Sequence, residues 1–509
     1  MFRTVELPLW LLLLILAFAT ITFASHFLFP SVRWFFRKRL ERAVAELNTR
    51  LTRPIEPFKL ARRHDMIQRL IYDPEVSKAI QEHARTERVP EEVAFEMARR
   101  YAREIVPRFS AFVYFGFAIW LAKVLSRGFY RVRVGAFDEA GLEHVNPDAT
   151  VVFVMNHRSN MDYVLVTWLA AERSHLSYAV GEWARTWPLS ALIRAMGAYF
   201  IRRKSQDALY RKVLSRYVQI STAGGTTQAM FPEGGLSLNG AVGVPRMGLL
   251  NYIVEAFVPG ESRDVVFIPV ALNYDRVIED RVLVAADRAG TRRFKLRFID
   301  VVKHVATHVF QRVTGRFHRF GYASVSFGQP LSLTRFIEEN PGIAERPTGL
   351  LARKLMARIR AVVPVLPVPV VAAVLSEGAG ADGVTRDAVA QRFAELVNGM
   401  EARGAHVHMP RAGRDEVVDA ALRHLELRKV IRRTGAQYSV NPRTGRCSGI
   451  TPIPSRICRT RSRAGSPYRT RAGADRWAFR QIRCDIKFQK PNVTCCILAV
   501  SFVMLQQQP

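Results

Sequence analysis

His157 and Asp162 stand where an apolar run, Val151-Val152-Phe153-Val154-Met155, stops at Asn156. The run has the length and composition of a buried strand, so the pair sits at a strand end. Histidine is the side chain whose unperturbed pKa lies nearest working pH, and a carboxylate within reach fixes its tautomer and strengthens it as a base. The chemistry open to such a pair is deprotonation of a hydroxyl. A lone His and Asp at this spacing also occur in turns that do no chemistry, so the reading depends on what else converges on them.

Three further segments converge. Gly197-Ala198-Tyr199-Phe200-Ile201 ends in Arg202 and Arg203, two guanidinium groups whose planar forks suit a phosphate. Phe231-Pro232-Glu233-Gly234-Gly235-Leu236-Ser237 closes the apolar run Gln228-Ala229-Met230 with a turn that carries a carboxylate; its glycines let a ligand approach the backbone. Val265 to Tyr274 reads as a buried strand interrupted by Pro269, a residue expected at a sheet edge or bulge.

In order and spacing these segments resemble the glycerolipid acyltransferase family, with its H-x4-D block, Arg-bearing block, E-G-G block and proline-containing strand. The first block, His157-Arg158-Ser159-Asn160-Met161-Asp162-Tyr163, is most similar to the glycerol-3-phosphate acyltransferase branch, and the four blocks span Val151 to Tyr274. The resemblance implies transfer of a fatty acyl group from a thioester to a glycerol-phosphate hydroxyl, with His157 as base and Asp162 orienting it. It also implies that Glu233, counted with His157 and Asp162 among the catalytic residues, and Gly234 shape the acceptor pocket, that Arg158, Ser159, Gly235 and Ser237 lie on the substrate side, and that Pro269 belongs to the acyl-donor side. Where the third block usually carries an arginine after the glycines, this chain has Leu236. Arg246 follows the block and is either the replacement phosphate ligand or a surface arginine beside a turn. Glycerol 3-phosphate is the expected acceptor, with lysophosphatidic acid or dihydroxyacetone phosphate as alternatives.

Alcoholysis of a thioester needs an activated alcohol, an oxyanion stabiliser and a site for an anionic acceptor. His157, the turn amides near Gly234 and Gly235, and the arginines supply all three. A serine hydrolase would need a G-x-S-x-G elbow, and Gly235-Leu236-Ser237-Leu238-Asn239 breaks that pattern at its last position. Ser159 and Ser237 therefore read as turn hydrogen-bonders. No cofactor and no metal are expected: His406 and His408 lack a ligand framework, and neither H-E-x-x-H nor a phosphate loop occurs. Gly378 to Gly383 satisfies G-x-G-x-x-G but follows a proline-rich stretch rather than a strand.

The elements that must position these groups divide the chain. Residues 7–30 contain no Lys, Arg, Asp or Glu and are long enough for a transmembrane helix. Arg33, Arg37, Lys38, Arg39 and Arg42 follow it, which places the body on the cytoplasmic side of the cell membrane. Residues 37–108 read as helices, with Asp73-Pro74-Glu75 and Pro90-Glu91-Glu92 as starts. Residues 109–125 are aromatic-rich and read either as an interfacial or second membrane segment or as a core helix. Residues 129–333 alternate strands with helices, as expected of an α/β catalytic domain with a mixed sheet and flanking helices. Residues 362–383 are expected to be a linker. Residues 384–442 form a small helical appendage, with Val389, Phe393, Leu396, Val397 and Met400 on one helix face, Val417, Val418, Ala421, Leu422 and Leu425 on another, and a strand near Tyr438.

The stretch 443–509 holds all five cysteines and 13 Lys or Arg against two acidic residues. Its spacings fit no ligand pattern, and it reads as an aberrant or disordered basic tail. The net charge of +31 raises the possibility of nucleic acid, but no recognition motif accompanies it. Anionic membrane lipids and an acyl-CoA or acyl-carrier donor are the expected partners. A non-catalytic basic lipid-binding platform is the remaining alternative.

Overall fold

The computed structural model describes residues 8, 63–110, 112–137, 144–170, 176–181, 189–202, 207–290, 320–341, 347–378, 383–409 and 413–441. The expected transmembrane segment 7–30 apart from Pro8, residues 37–62 of the helical region, Arg203 and the tail 443–509 lie outside them.

An N-terminal layer is built from α1 (Arg63–Ile71), α2 (Pro74–Glu87) and α3 (Glu91–Ile105). Asp73 caps α2 by accepting from Glu75 N–H at 3.0 Å, with Pro74 in the first turn, where a missing N–H costs nothing. A π-helical turn, Phe112–Ala118, then runs into α4 (Ile119–Phe129). Tyr114 on this turn is buried, and its hydroxyl accepts from Leu176 N–H at 3.0 Å, while Trp120 and Val124 on α4 are exposed. The segment 109–125 is thus anchored to the protein on one face and open on the other. Among the described residues no helix is long and apolar enough to cross a membrane.

The central region begins with β1 (Arg131–Phe137), β2 (Thr150–Met155), α5 (Met161–Ala170), β3 (Ser177–Gly181), α6 (Leu189–Ala195), β4 (Tyr199–Ile201) and α7 (Ala208–Ala223). It continues through β5 (Gln228–Met230), α8 (Gly248–Glu255), β6 (Val265–Tyr274), α9 (Asp280–Arg288), β7 (Tyr322–Phe327), β8 (Leu331–Ser332), α10 (Leu333–Glu338) and α11 (Pro347–Ala361). The strands form one mixed sheet in the order β1-β7-β6-β2-β5-β3-β4, with β8 also paired to β6. β2 lies between β6 and β5, parallel to both, and antiparallel pairing enters only where β6 meets β7 and β8. Buried on both faces, β2 and β6 are near-continuous apolar runs. One face packs on α1–α3, α7, α8 and α11, the other on α5 and the aromatic residues Tyr130, Tyr178 and Phe320.

Pro269 was expected at an edge or bulge, yet β6 is central and Pro269 pairs with Val154. Its carbonyl accepts from Gly328 N–H at 2.8 Å, on the side facing β7 and β8. The missing N–H points to that same side, between the pairing with β8 at Val266–Phe267 and that with β7 from Val270 onward. The proline falls where one neighbour hands over to the other, so no ladder bond is lost.

The segment 362–383 is not a plain linker. It contains α12 (Pro367–Glu377), buried along Pro367 to Ala372. Its prolines mark the first turn of a helix, where proline is preorganised. α12 joins α13 (Arg386–Glu401) and α14 (Arg414–Leu427) around a separate apolar cluster that includes Val389, Phe393, Met400, Leu422 and Leu425. A three-stranded antiparallel sheet of β9 (Val384–Thr385), β10 (Ile431–Thr434) and β11 (Gln437–Val440) completes this C-terminal unit.

Candidate active site

The loops after β2 and β5 leave the same edge of the sheet, at the carboxyl ends of adjacent parallel strands, where open α/β sheets bind ligands. Asn156 fixes the end of β2: its Oδ1 accepts from Leu272 N–H at 2.7 Å and its Nδ2 donates to Leu272 O at 3.0 Å. The next residue is His157. Its Nδ1 lies 2.9 Å from Asp162 Oδ2, and both side chains are buried. Donation from Nδ1 to the carboxylate leaves the Nε2 lone pair as the basic position.

Asp162 opens α5, and four donors converge on its carboxylate. Besides the imidazole, Arg158 N–H and Ser159 N–H reach Oδ2 at 2.7 and 3.0 Å, and Tyr274 O–H reaches Oδ1 at 2.6 Å. The H-x4-D spacing is what permits this. The intervening residues turn tightly enough for two of their own amides to bind the carboxylate that orients the histidine. Phe231 stacks on the imidazole with centroids 4.1 Å apart, and Tyr163 packs edge-on at 5.4 Å. The ring is therefore held on both sides. His157 is 2 % exposed beneath these rings.

Glu233 locks the second loop to the first. Its Oε1 accepts from His157 N–H and its Oε2 from Gly243 N–H, each at 3.1 Å, while Ser237 N–H donates to His157 O at 2.8 Å. Burial pushes the Glu233 carboxyl up, against the pull of these amides and of His157 and Arg158. Both Glu233 oxygens are thus engaged by backbone amides, and the contact to His157 N–H fixes the chain at the end of β2. The Arg158 guanidinium is buried near Glu233, Asp162 and Tyr274, and burial pulls it down to about 10.

Of the two glycine amides expected to stabilise an oxyanion, that of Gly234 is spent on Phe231 O at 3.0 Å. Gly234 has φ +66°, and a Cβ there would meet Arg246 Cδ at 2.7 Å. The exposed Arg246 thus lies directly over the Glu233 loop, tied by its own N–H to Pro232 O at 2.7 Å. Gly235 follows Gly234 in the same turn. Ser237 Oγ donates to Ala241 O at 2.7 Å, and Ser159 Oγ to Glu279 Oε2 at 2.8 Å. Both serines hold loops.

Arg202 is not at this site. β4 is the edge strand, and the guanidinium makes a bidentate pair with Glu104 of α3 at 2.9 and 2.6 Å, between the rings of Tyr101 and Tyr210 at 5.1 and 5.2 Å. An apolar run ending in arginine read as a phosphate fork; a carboxylate on a distant helix fills that fork instead. Pro269 lies with Val265, Phe267 and Ala271 on the sheet face opposite Tyr274, and its Cβ approaches the space beside Gly328 and Val362. Tyr274, Phe231 and Glu279 are the residues sequence reasoning missed. The first two stood at the ends of segments already singled out, but nothing in a linear chain shows that their rings reach His157 and Asp162.

Residues 137–273 match the acyltransferase family model, and residues 308–442 match the glycerol-3-phosphate acyltransferase C-terminal region. The chain is 28 % identical to the glycerol-3-phosphate acyltransferase of Pseudomonas aeruginosa over 335 residues, covering 62 % of this chain and 39 % of that protein. It is 27 % identical to the enzyme of the same name from Pseudomonas entomophila, covering 57 % and 34 %. The chain thus spans about two fifths of the length of the curated relatives it matches. A 1-acyl-sn-glycerophosphate acyltransferase structure from Thermotoga maritima is 19 % identical with a TM-score of 0.28, covering 47 % of this chain and 80 % of that one. The two matched regions lie in order along the chain, and the first contains the whole His157–Asp162–Glu233 arrangement: the chain carries an acyltransferase domain followed by a glycerol-3-phosphate acyltransferase C-terminal region, and both matches support the glycerolipid acyltransferase family and its glycerol-3-phosphate acyltransferase branch.

Proposed function

We propose that this protein transfers a fatty acyl group from a thioester donor, acyl-CoA or an acyl carrier protein, to a hydroxyl of glycerol 3-phosphate. The observation that carries the reading is the buried His157 Nδ1 to Asp162 contact at 2.9 Å with four donors on the carboxylate. In the reaction Nε2 takes the hydroxyl proton as the oxygen attacks the thioester carbonyl. Collapse of the tetrahedral intermediate expels the thiolate, which recovers the proton from the imidazolium. Asp162 holds the ring and balances the charge that forms on it.

Acceptor recognition falls to cationic groups at the Glu233 loop. Arg246 is the exposed candidate and Arg158 the buried one; Arg203 lies outside the described residues. The names of the Pseudomonas relatives favour glycerol 3-phosphate over lysophosphatidic acid. Residues 7–30, the basic residues behind them and the exposed face of Trp120 and Val124 suit work at the cytoplasmic surface of a membrane rich in anionic lipid. Pro269 is assigned to the acyl-donor side. The test is a side-by-side assay of purified membranes with glycerol 3-phosphate, dihydroxyacetone phosphate and lysophosphatidic acid, each with acyl-CoA and acyl-carrier donors. Acylation of glycerol 3-phosphate above the other two is expected; preference for a phosphate-free alcohol overturns the assignment.

A further inference from the structure

The chain leaving β6 makes two sets of contacts that point opposite ways. Asn273, Asp275 and Asp280 hold the C-terminal unit. Asn273 Nδ2 donates to Pro364 O at 2.7 Å, Asp275 Oδ1 accepts from Val368 N–H in the first turn of α12 at 3.1 Å, and Asp280 pairs with Arg428 at the end of α14. Tyr274 and Glu279 hold the catalytic turn. Tyr274 O–H binds Asp162 Oδ1, and Glu279 accepts from Ser159 Oγ at 2.8 Å and from both Asn160 N–H and Asn160 Nδ2 at 3.1 Å. Alternation along the strand end sends Asn273 and Asp275 to one face and Tyr274 to the other, and the neighbours Glu279 and Asp280 divide the same way. Further anchors come from Tyr322 N–H on Asp275 Oδ2 at 2.7 Å and Tyr130 O–H on Arg276 O at 2.7 Å.

Ser159 and Asn160 lie inside the turn whose amides bind Asp162. Ser159 is fully buried and its hydroxyl donates to Glu279, so removing that acceptor unbalances a hydrogen bond inside the turn. The turn would relax, and the Arg158 and Ser159 amides that set the Asp162 carboxylate under Nδ1 would move with it.

We propose that Glu279 is a positioning residue for acyl transfer, and that the segment Asn273–Asp280 couples docking of the C-terminal unit to the geometry of the His157–Asp162 turn. The inference rests on the acyl-transfer reading for its rate effects, but not for the coupling itself. Val368 and Arg428 then bear on the His157–Asp162 turn through Asp275 and Asp280.

The test uses the full chain with Glu279→Ala, Glu279→Gln, Arg428→Gln and the double variant Glu279→Ala with Arg428→Gln. Kinetics are read beside hydrogen exchange of the peptide containing residues 157–162. Glu279→Ala should lower kcat by about 10- to 100-fold, the scale of a small misplacement of catalytic groups, with acceptor KM within about twofold. Glu279→Gln keeps an acceptor for Asn160 and should recover most of the loss. Arg428→Gln should lower kcat and speed exchange in residues 157–162, and the double variant should be no slower than Glu279→Ala alone, since both act through one turn. Unchanged exchange in Arg428→Gln, or losses that multiply in the double variant, overturns the coupling. A wild-type protein that transfers no acyl group defeats the functional reading instead, and leaves the exchange result to judge the coupling.

Discussion

Tyr274→Phe removes one oxygen and tests the geometry around Asp162 with little change of shape. The Tyr274 hydroxyl reaches Asp162 Oδ1 at 2.6 Å, whereas the other three donors all reach Oδ2. Asp162 is fully buried, so the variant leaves Oδ1 without a donor and without access to solvent. A hydrogen bond to a charged group contributes about 1.5–3 kcal/mol, and a buried acceptor left unmade costs about 1–3 kcal/mol. At roughly 2–4 °C per kcal/mol for a domain of this size, Tm should fall by about 2–12 °C. The carboxylate would also be freer to rotate away from the imidazole, and a loss of about 1.4 kcal/mol of transition-state stabilisation is tenfold in rate. Tyr274→Phe should therefore reduce kcat/KM by about tenfold or more, chiefly through kcat. Thermal unfolding and steady-state kinetics on the purified protein measure both. A variant with wild-type Tm and wild-type kcat would refute the claim that Tyr274 holds Asp162.

Gly234→Ala places a side chain at φ +66° and within 2.7 Å of Arg246 Cδ; the left-handed conformation alone costs about 1–2 kcal/mol, and acceptor KM should rise in the native background but not further in Arg246→Ala. Arg202→Ala should lower stability by about 1 kcal/mol through the lost Glu104 pair and tyrosine contacts while leaving acceptor KM unchanged; a KM rise would return Arg202 to the substrate site. Burial pushes the Asp275 carboxyl from 3.8 up to about 7. A folded-state value above the unfolded one gives a contribution that is present at acid pH and lost as pH rises through about 7. Denaturant unfolding between pH 5 and pH 8 should therefore show stability falling with pH more steeply in wild type than in Asp275→Asn, and equal slopes would count against it.

The part of the site written in short-range spacing was legible in the sequence. His157 and Glu233 each follow an apolar run, Asp162 comes five residues after His157, and the runs became β2 and β5, adjacent and parallel. The C-terminal helix faces were readable for the same reason, since a period of 3.6 marks the side that Phe393 and Leu422 bury. What failed depended on partners far away in sequence. Arg202 looked like a phosphate ligand because nothing local shows that Glu104 waits on another helix. Pro269 looked like an edge residue because the change of neighbour from β8 to β7 is a property of the sheet. The prolines opening α12 carry two meanings, linker and first helical turn, and the buried Val368 to Leu375 face decides between them only once its packing is known. Glu279 sits in a turn with no motif around it, 120 residues from the Ser159 hydroxyl it accepts from.

The central claim is that His157 Nε2 is the base for acyl transfer, and the most direct test is the turnover of His157→Ala beside wild type with glycerol 3-phosphate and a labelled acyl thioester. The account predicts that wild type forms acylated glycerol phosphate and that the variant, folded and with the same Tm to within a few degrees, loses about 10²- to 10⁴-fold in kcat. Turnover by His157→Ala close to that of wild type would contradict it.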